Sequence, residues 1–169
     1  VLDTTSKPAI YRTASGVVPS YDGQTFTSVT SGQWNSNSTW SLNAVPGSTD
    51  QVIIDQSHNV TLIDDRAAAY IKFNGSGQIS GSAGTLTIGN TLEATGSGNP
   101  SISRPVTSAA TLTINHNGSG TLSMNSLNVG GGFAKNGSGR LLLNTTNTIG
   151  AASQWNSGIL AMNANNVLG

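Results

Sequence analysis

Three segments late in the chain, Gly120-Thr-Leu-Ser-Met124, Gly139-Arg-Leu-Leu-Leu143 and Gly158-Ile-Leu-Ala-Met162, share one form: Gly, any residue, Leu, any residue, apolar. Their glycines stand 19 residues apart at each step. Gly84-Thr-Leu-Thr-Ile88 has the same form and lies 36 residues before Gly120, close to two such steps. Ala110-Thr-Leu-Thr-Ile114 repeats it without the glycine and off the spacing. A period near 20 is a solenoid signal, because each coil hides its apolar face only once a neighbour stacks on it. Alternation inside each segment turns Leu and Ile inward and Thr and Ser outward.

Helix signals are nearly absent from the rest of the chain. Arg66-Ala67-Ala68-Ala69 is short and runs into Tyr70-Ile71-Lys72-Phe73, which alternates as a strand does. Gln51-Val52-Ile53-Ile54 and Asn59-Val60-Thr61-Leu62-Ile63 are rich in β-branched residues and too short for buried helices. Turn pairs stand at Asn74-Gly75, Asn117-Gly118 and Asn136-Gly137. The expected fold is all-β, a short parallel β-solenoid over 32–169 preceded by an extended arm over 1–31. An antiparallel β-sandwich, which also has short strands and frequent turns, is the alternative. The regular spacing and the scarcity of two-residue hairpin loops favour the solenoid.

Composition narrows the function. Charged residues make up 8% of the 169, against about 25% in an ordinary globular protein. Seven basic and seven acidic residues, spread thinly, sum to zero. Nucleic-acid binding and polybasic membrane contact both need clustered Lys and Arg, so neither is expected. No apolar run approaches the roughly 20 residues of a membrane helix. The chain has no cysteine, which excludes disulfides and thiolate metal sites. A near-neutral surface leaves self-association unopposed by charge.

Residues 130–169, above all Lys135-Asn-Gly-Ser-Gly-Arg-Leu-Leu-Leu-Asn144, Ser157-Gly-Ile-Leu160 and Asn165-Asn-Val-Leu-Gly169, resemble the autotransporter-associated β-strand repeat. Gly32-Gln-Trp34, Thr39-Trp40, Pro46, Asp50-Gln-Val-Ile-Ile54 and Asn59-Val-Thr-Leu62 resemble the entry segment of secreted bacterial β-helix proteins. The resemblance implies a single-stranded right-handed β-helix that is secreted, on a bacterial surface or in an extracellular fibre. Neither motif is catalytic. An autotransporter's outer-membrane barrel is missing from these 169 residues.

Candidates for chemistry are few. His58 stands near Asp50 and Asp55, so a His–carboxylate pair is conceivable, but no nucleophile signature accompanies it. His116, in Asn115-His-Asn-Gly118, reads as a solvated turn residue. Asp64-Asp65 is the candidate for a structural Ca²⁺, although that ion wants about six to eight oxygens. No other cofactor is expected. Trp34, Trp40, Trp155 and Tyr21 are candidates for sugar stacking; Trp34 and Trp40 fit better as a cover over the open end of the core. Asn37, Asn59, Asn74, Asn117, Asn136 and Asn144 each begin an Asn-x-Ser/Thr sequon, a common chance match in so Asn- and Ser-rich a chain.

The solenoid pattern runs on to Val167-Leu168-Gly169 without a cap, so either more coils follow or a neighbouring subunit covers the last one. The expected function is a non-enzymatic extracellular subunit that joins copies of itself head to tail in a filament or matrix fibre. Its expected contacts are Ile10, Tyr11, Val17, Val18, Phe26 and Val29 on the arm, and Ile159, Leu160, Met162, Val167 and Leu168 on the last coil. An adhesin-type passenger stalk is the alternative. A carbohydrate-active or carbohydrate-binding β-helix using the Asp50–Asp65 region, with surface glycans as partners, is the second.

Overall fold

A computed structural model describes residues 23–163 in full and the backbone strands Ala9–Thr13 and Gly16–Ser20. From Thr25 onward the strands pair only in parallel, in one continuous ladder of fifteen, apart from a single antiparallel bridge between Ser28 and Trp40. The chain is a right-handed parallel β-solenoid of about six turns. The alternating runs form strands because each is half buried, and they stack because no coil can cover its own inner face.

Each coil has three faces. The first holds Thr25–Thr27, Gln51–Asp55, the second halves of Arg66–Asn74 and Leu86–Ala94, then Leu112–His116, Phe133–Asn136 and Gln154–Trp155. The second holds Gly32–Gln33, Asn59–Leu62, Gln78–Gly81, the first halves of Ser101–Ser108 and Thr121–Val129, then Arg140–Leu143 and Ile159–Met162. The third is built where the four long strands turn a corner, and ends on Thr148–Ile149. After the first coil, successive positions in register lie 19 to 23 residues apart.

The core is a set of axial columns. Phe26, Val52, Ile71, Leu92 and Ile114 stand above one another on the first face, and Val60, Ile79, Ile102, Met124 and Leu143 on the second. All ten are buried. A neighbouring column on the first face runs Ile54, Phe73, Ala94, His116, so the largest ring sits over the smallest side chain.

Two expectations about the arm need correction, and the repeated segments prove to be divided among the faces. Thr25–Thr27, assigned to the arm, is the first strand of the solenoid, and Phe26 is fully buried in its core rather than at a subunit contact. The arm is not extended throughout: Ala9–Thr13 and Gly16–Ser20 pair antiparallel in a two-stranded sheet of their own, as two alternating runs joined by two residues can. Gly84-Thr-Leu-Thr-Ile88 lies on the third face and Leu112–His116 on the first, whereas the segments after Gly120, Gly139 and Gly158 lie on the second. The five-residue form marks an inward strand on any face, so equal spacing alone did not assign them.

If the Phe73 column carries the core as described, Phe73→Ala should cost about 3–5 kcal/mol. Urea unfolding followed by circular dichroism checks this, and a loss below about 1 kcal/mol would contradict the packing.

Candidate functional site

The start of the coil is closed by the chain itself. Residues 39–41 run antiparallel along the free edge of Thr25–Thr27, with Val29 N donating to Thr39 O and Ser41 N to Thr27 O, both at 2.9 Å. A short 3-10 turn, Asn37–Thr39, brings this segment back over the end. Trp34 and Trp40 lie beneath it, buried and edge to face with ring centroids 5.2 Å apart. Each indole N–H finds an acceptor: Trp40 Nε1 donates to Trp34 O at 2.7 Å, and Trp34 Nε1 to Pro46 O at 3.4 Å. The two tryptophans thus cover the core, and their burial leaves no ring face open for a sugar to stack on.

Asp50 belongs to the same structure. Its carboxylate accepts from Gln24 N at 2.9 Å and Gly47 N at 2.8 Å, tying the entry loop to the first coil. The conceivable pairing of His58 with a carboxylate does not form. Its Nδ1 lies 3.0 Å from Ser28 Oγ and 3.1 Å from Ser28 O, and the serine hydroxyl also accepts from Asp55 N. Asp64 and Asp65 are not brought together around an ion. Asp64 receives two hydrogen bonds from Arg66, and Asp65 accepts from Thr85 N at 2.8 Å. Among the described residues no group of three or more His, Asp or Glu converges as metal ligands would.

Two polar residues, Lys135 and His116, lie inside the coil, neither of which the sequence places there. Lys135 continues the apolar column of Ile71, Leu92 and Ile114, and it is 0% exposed. Its Nζ donates to Asn136 O at 2.7 Å, Gly137 O at 2.8 Å and Ser157 O at 3.4 Å, so the ammonium stitches one turn to the next. Burial holds its pKa below the ordinary lysine value. His116, expected as a solvated turn residue, is 1% exposed. The alternation Leu112, Ile114, His116 turns it inward, and Nδ1 donates to Arg140 O at 3.1 Å. Burial chiefly depresses its pKa, the Arg140 carbonyl opposes this, and the Lys135 charge adds to the depression.

Around these groups the corner between the first and second faces is a column of glycines. Gly75-Ser-Gly77, Gly96-Ser-Gly98, Gly118-Ser-Gly120 and Gly137-Ser-Gly139 follow one another up the axis. Gly137 has φ +81°, and a Cβ there would strike the His116 carbonyl. The sequence carries the signal as a recurring Gly-Ser-Gly, three of whose four copies follow an Asn and so also read as Asn-Gly turns. This turn spans eight residues from Ile71 to Ile79 but ten from Leu92 to Ile102. Where the turn lengthens lies an open notch of about 380 Å³ lined by Gln56, Ser57, Asn74, Gly75, Ser76, Gly96, Ser97 and Gly98. It offers hydroxyl, amide and peptide groups and no titratable side chain.

Amide ladders climb two faces. Asn136 Nδ2 donates to Asn115 Oδ1 at 3.0 Å and Asn156 Nδ2 to Asn136 Oδ1 at 2.8 Å. Asn144 Nδ2 donates to Asn125 Oδ1 at 3.5 Å and Asn163 Nδ2 to Asn144 Oδ1 at 3.1 Å. The amide nitrogens of sequons Asn136 and Asn144 are therefore committed within the coil. On the outer first face Glu93 takes a 2.6 Å hydrogen bond from Tyr70 and a 3.2 Å ion pair from Lys72, which together keep its carboxyl below its ordinary value against the opposing effect of burial.

The last described coil is different. Trp155 is 61% exposed, Ile159 55% and Met162 43%, while Leu160 packs partly against the core. Val29 is also exposed. The expected contacts Ile10, Tyr11, Val17 and Val18 lie in the described hairpin, with Ile10 opposite Pro19 and Tyr11 opposite Val18, but their side chains fall outside the described residues. Val167 and Leu168 lie outside them altogether. No family model matches the chain, and neither the curated proteins nor the solved structures provide a match.

Two outcomes follow from the buried cations. Lys135→Met keeps the stem but strips three carbonyls of their donor, and should cost about 1–3 kcal/mol in urea unfolding. A variant as stable as the parent would remove the stitching role. For His116 the folded pKa is the depressed one, so the unfolded chain takes up more protons below its ordinary value. Its stability contribution is then complete above about pH 6.5 and is lost as pH falls below it. Melting temperature should drop between about pH 7.5 and about pH 5 by more in the parent than in His116→Gln; equal drops would overturn this.

Proposed function

We propose that the chain is a non-enzymatic structural protein of the cell exterior, a coil that joins further copies of itself head to tail in a filament or matrix fibre. The observation that carries this reading is the inequality of the two ends. The first coil is shut by the chain's own loop and two indoles. The last described coil presents Trp155, Ile159 and Met162, and its strands Gln154–Trp155 and Ile159–Met162 are paired on one side only among the described residues. An edge of this kind is a template for an added strand.

The hairpin of Ala9–Thr13 and Gly16–Ser20 supports the same reading, because it forms a sheet separate from the solenoid ladder. A coil end alone covers a few hundred Å², well under the roughly 1,200 Å² of a stable interface. Strands lent by a neighbour would add the missing hydrogen bonds and area. The low charge and the likeness of residues 130–169 to surface-protein repeats point to the outside of a bacterial cell. A second reading, the stalk of a longer surface protein, is favoured by the amide ladders, whose topmost Oδ1 atoms on Asn156 and Asn163 suit a further coil of the same kind.

Negative-stain electron microscopy of the chain beside a form lacking residues 1–22 separates the two. The truncation stops before Phe26, which the core needs. Fibres from the full chain that vanish on truncation are the expected result. Single particles in both samples would overturn the fibre reading and leave the stalk.

A further inference from the structure

The charges of this chain are balanced in sum and divided along the axis. Between Gly23 and Glu93 stand five carboxylates, Asp50, Asp55, Asp64, Asp65 and Glu93, against two cations, Arg66 and Lys72. Between Ala94 and Asn163 stand three cations, Arg104, Lys135 and Arg140, and no carboxylate. Asp64 pairs with Arg66 at 2.5 Å and Glu93 with Lys72 at 3.2 Å. With those pairs cancelled, Asp50, Asp55 and Asp65 remain in the early coils, against Arg104, Lys135 and Arg140 in the late ones. Residues 1–22 add two charges of each sign and 164–169 add none, so the rest of the chain leaves the division intact.

In most folds such a split in sequence would be scrambled in space. In a parallel solenoid it is not, because each turn advances the chain by about 4.8 Å along one axis. Asp50 precedes and Asp55 ends the Gln51–Asp55 strand, which stacks directly on the first coil. Arg140, exposed, is in register with Ile159 of the last described coil. Three formal negative charges and three positive ones are therefore displaced by several coils, on the order of 20 Å.

We propose that this axial dipole sets the polarity of self-association: the basic, apolar last coil of one copy receives the acidic first coils of a second copy. This rests on the fibre reading and adds what orients the subunits and what partner the open end fits. Stacked head to tail, Arg140 and Asp55 each lie about one coil from the joint, roughly 15 Å apart along the axis, inside the screening length at about 0.01 M salt and beyond the one at about 0.1 M. Head to head, carboxylates face carboxylates; tail to tail, the cations face each other. Complementary fields raise encounter rates and reject the wrong orientation more than they tighten the contact. Apolar burial at Trp155 and Met162 and the hairpin strands then hold what the field has aligned.

The test is sedimentation of the full chain at about 20 mM and about 500 mM NaCl, with Arg140→Glu and Asp55→Lys studied singly and mixed in equal amounts. Circular dichroism checks that each variant keeps its strand content. Association of the parent should weaken about tenfold at the higher salt. Each variant alone should associate poorly at low salt. The mixture should recover, since a tail that has gained a carboxylate can then meet a head that has gained an ammonium group. Association indifferent to salt, or a mixture no better than its components, would overturn the dipole while leaving the fibre reading standing. Absence of association at either salt, in parent and variants alike, would overturn both.

Discussion

Everything in this molecule depends on one constraint, the parallel register that sets each residue about 4.8 Å above its counterpart in the coil before. A side chain is packed first against its two axial neighbours and only then against the opposite faces. Phe73 lies between Ile54 and Ala94, and the small residue makes room for the ring. The same constraint empties the corner of side chains. At Gly120 a Cβ would run into the Gly98 carbonyl of the turn below, so only glycine lets the turns close up. It also aligns Asn115, Asn136 and Asn156 so that the middle amide, Asn136, donates to Asn115 and accepts from Asn156.

A stack held this way has no internal reason to stop, so its ends need separate solutions. The first end is solved by the chain itself, with Thr39–Ser41 on the strand edge and two indoles that bring apolar bulk while their N–H groups reach backbone acceptors. Near the other end the core changes character. Lys135 takes an inward position held in earlier coils by Ile71, Leu92 and Ile114, its stem packing as an aliphatic chain and its ammonium serving three carbonyls. His116 sits one coil earlier in the adjoining column. Two buried titratable groups without a facing carboxylate tie the stability of this part of the stack to pH, and it adjoins the last described coil.

Much of the architecture was legible in the sequence. Alternation named the strands, the spacing named the stacking, and Trp34 and Trp40 read as a cover. Other features were not legible because the local pattern is the same on all three faces. Gly84-Thr-Leu-Thr-Ile88 and Gly120-Thr-Leu-Ser-Met124 look alike and lie on different faces. His116 is hidden for a related reason: Asn115-His-Asn-Gly118 has the composition of a turn, yet parity with Leu112 and Ile114 turns the ring inward. The same parity, Phe133 then Lys135, marks the buried lysine. Asp64 and Asp65 are adjacent in sequence and serve different partners, since one engages Arg66 and the other a backbone N–H of the next coil.

By itself, then, the sequence determined that the chain is built of short strands stacked at a period near 20, because strand alternation and turn chemistry are local. The register is not local. After the first coil it joins positions 19 to 23 residues apart, and it depends on how every turn is accommodated by the turn beneath it. Only the tertiary structure could decide which polar residues face inward and where the notch opens. It also decided the meaning of a charge distribution that looks thin and neutral on the page: in a fold where order along the chain is order along an axis, acids early and bases late become a dipole.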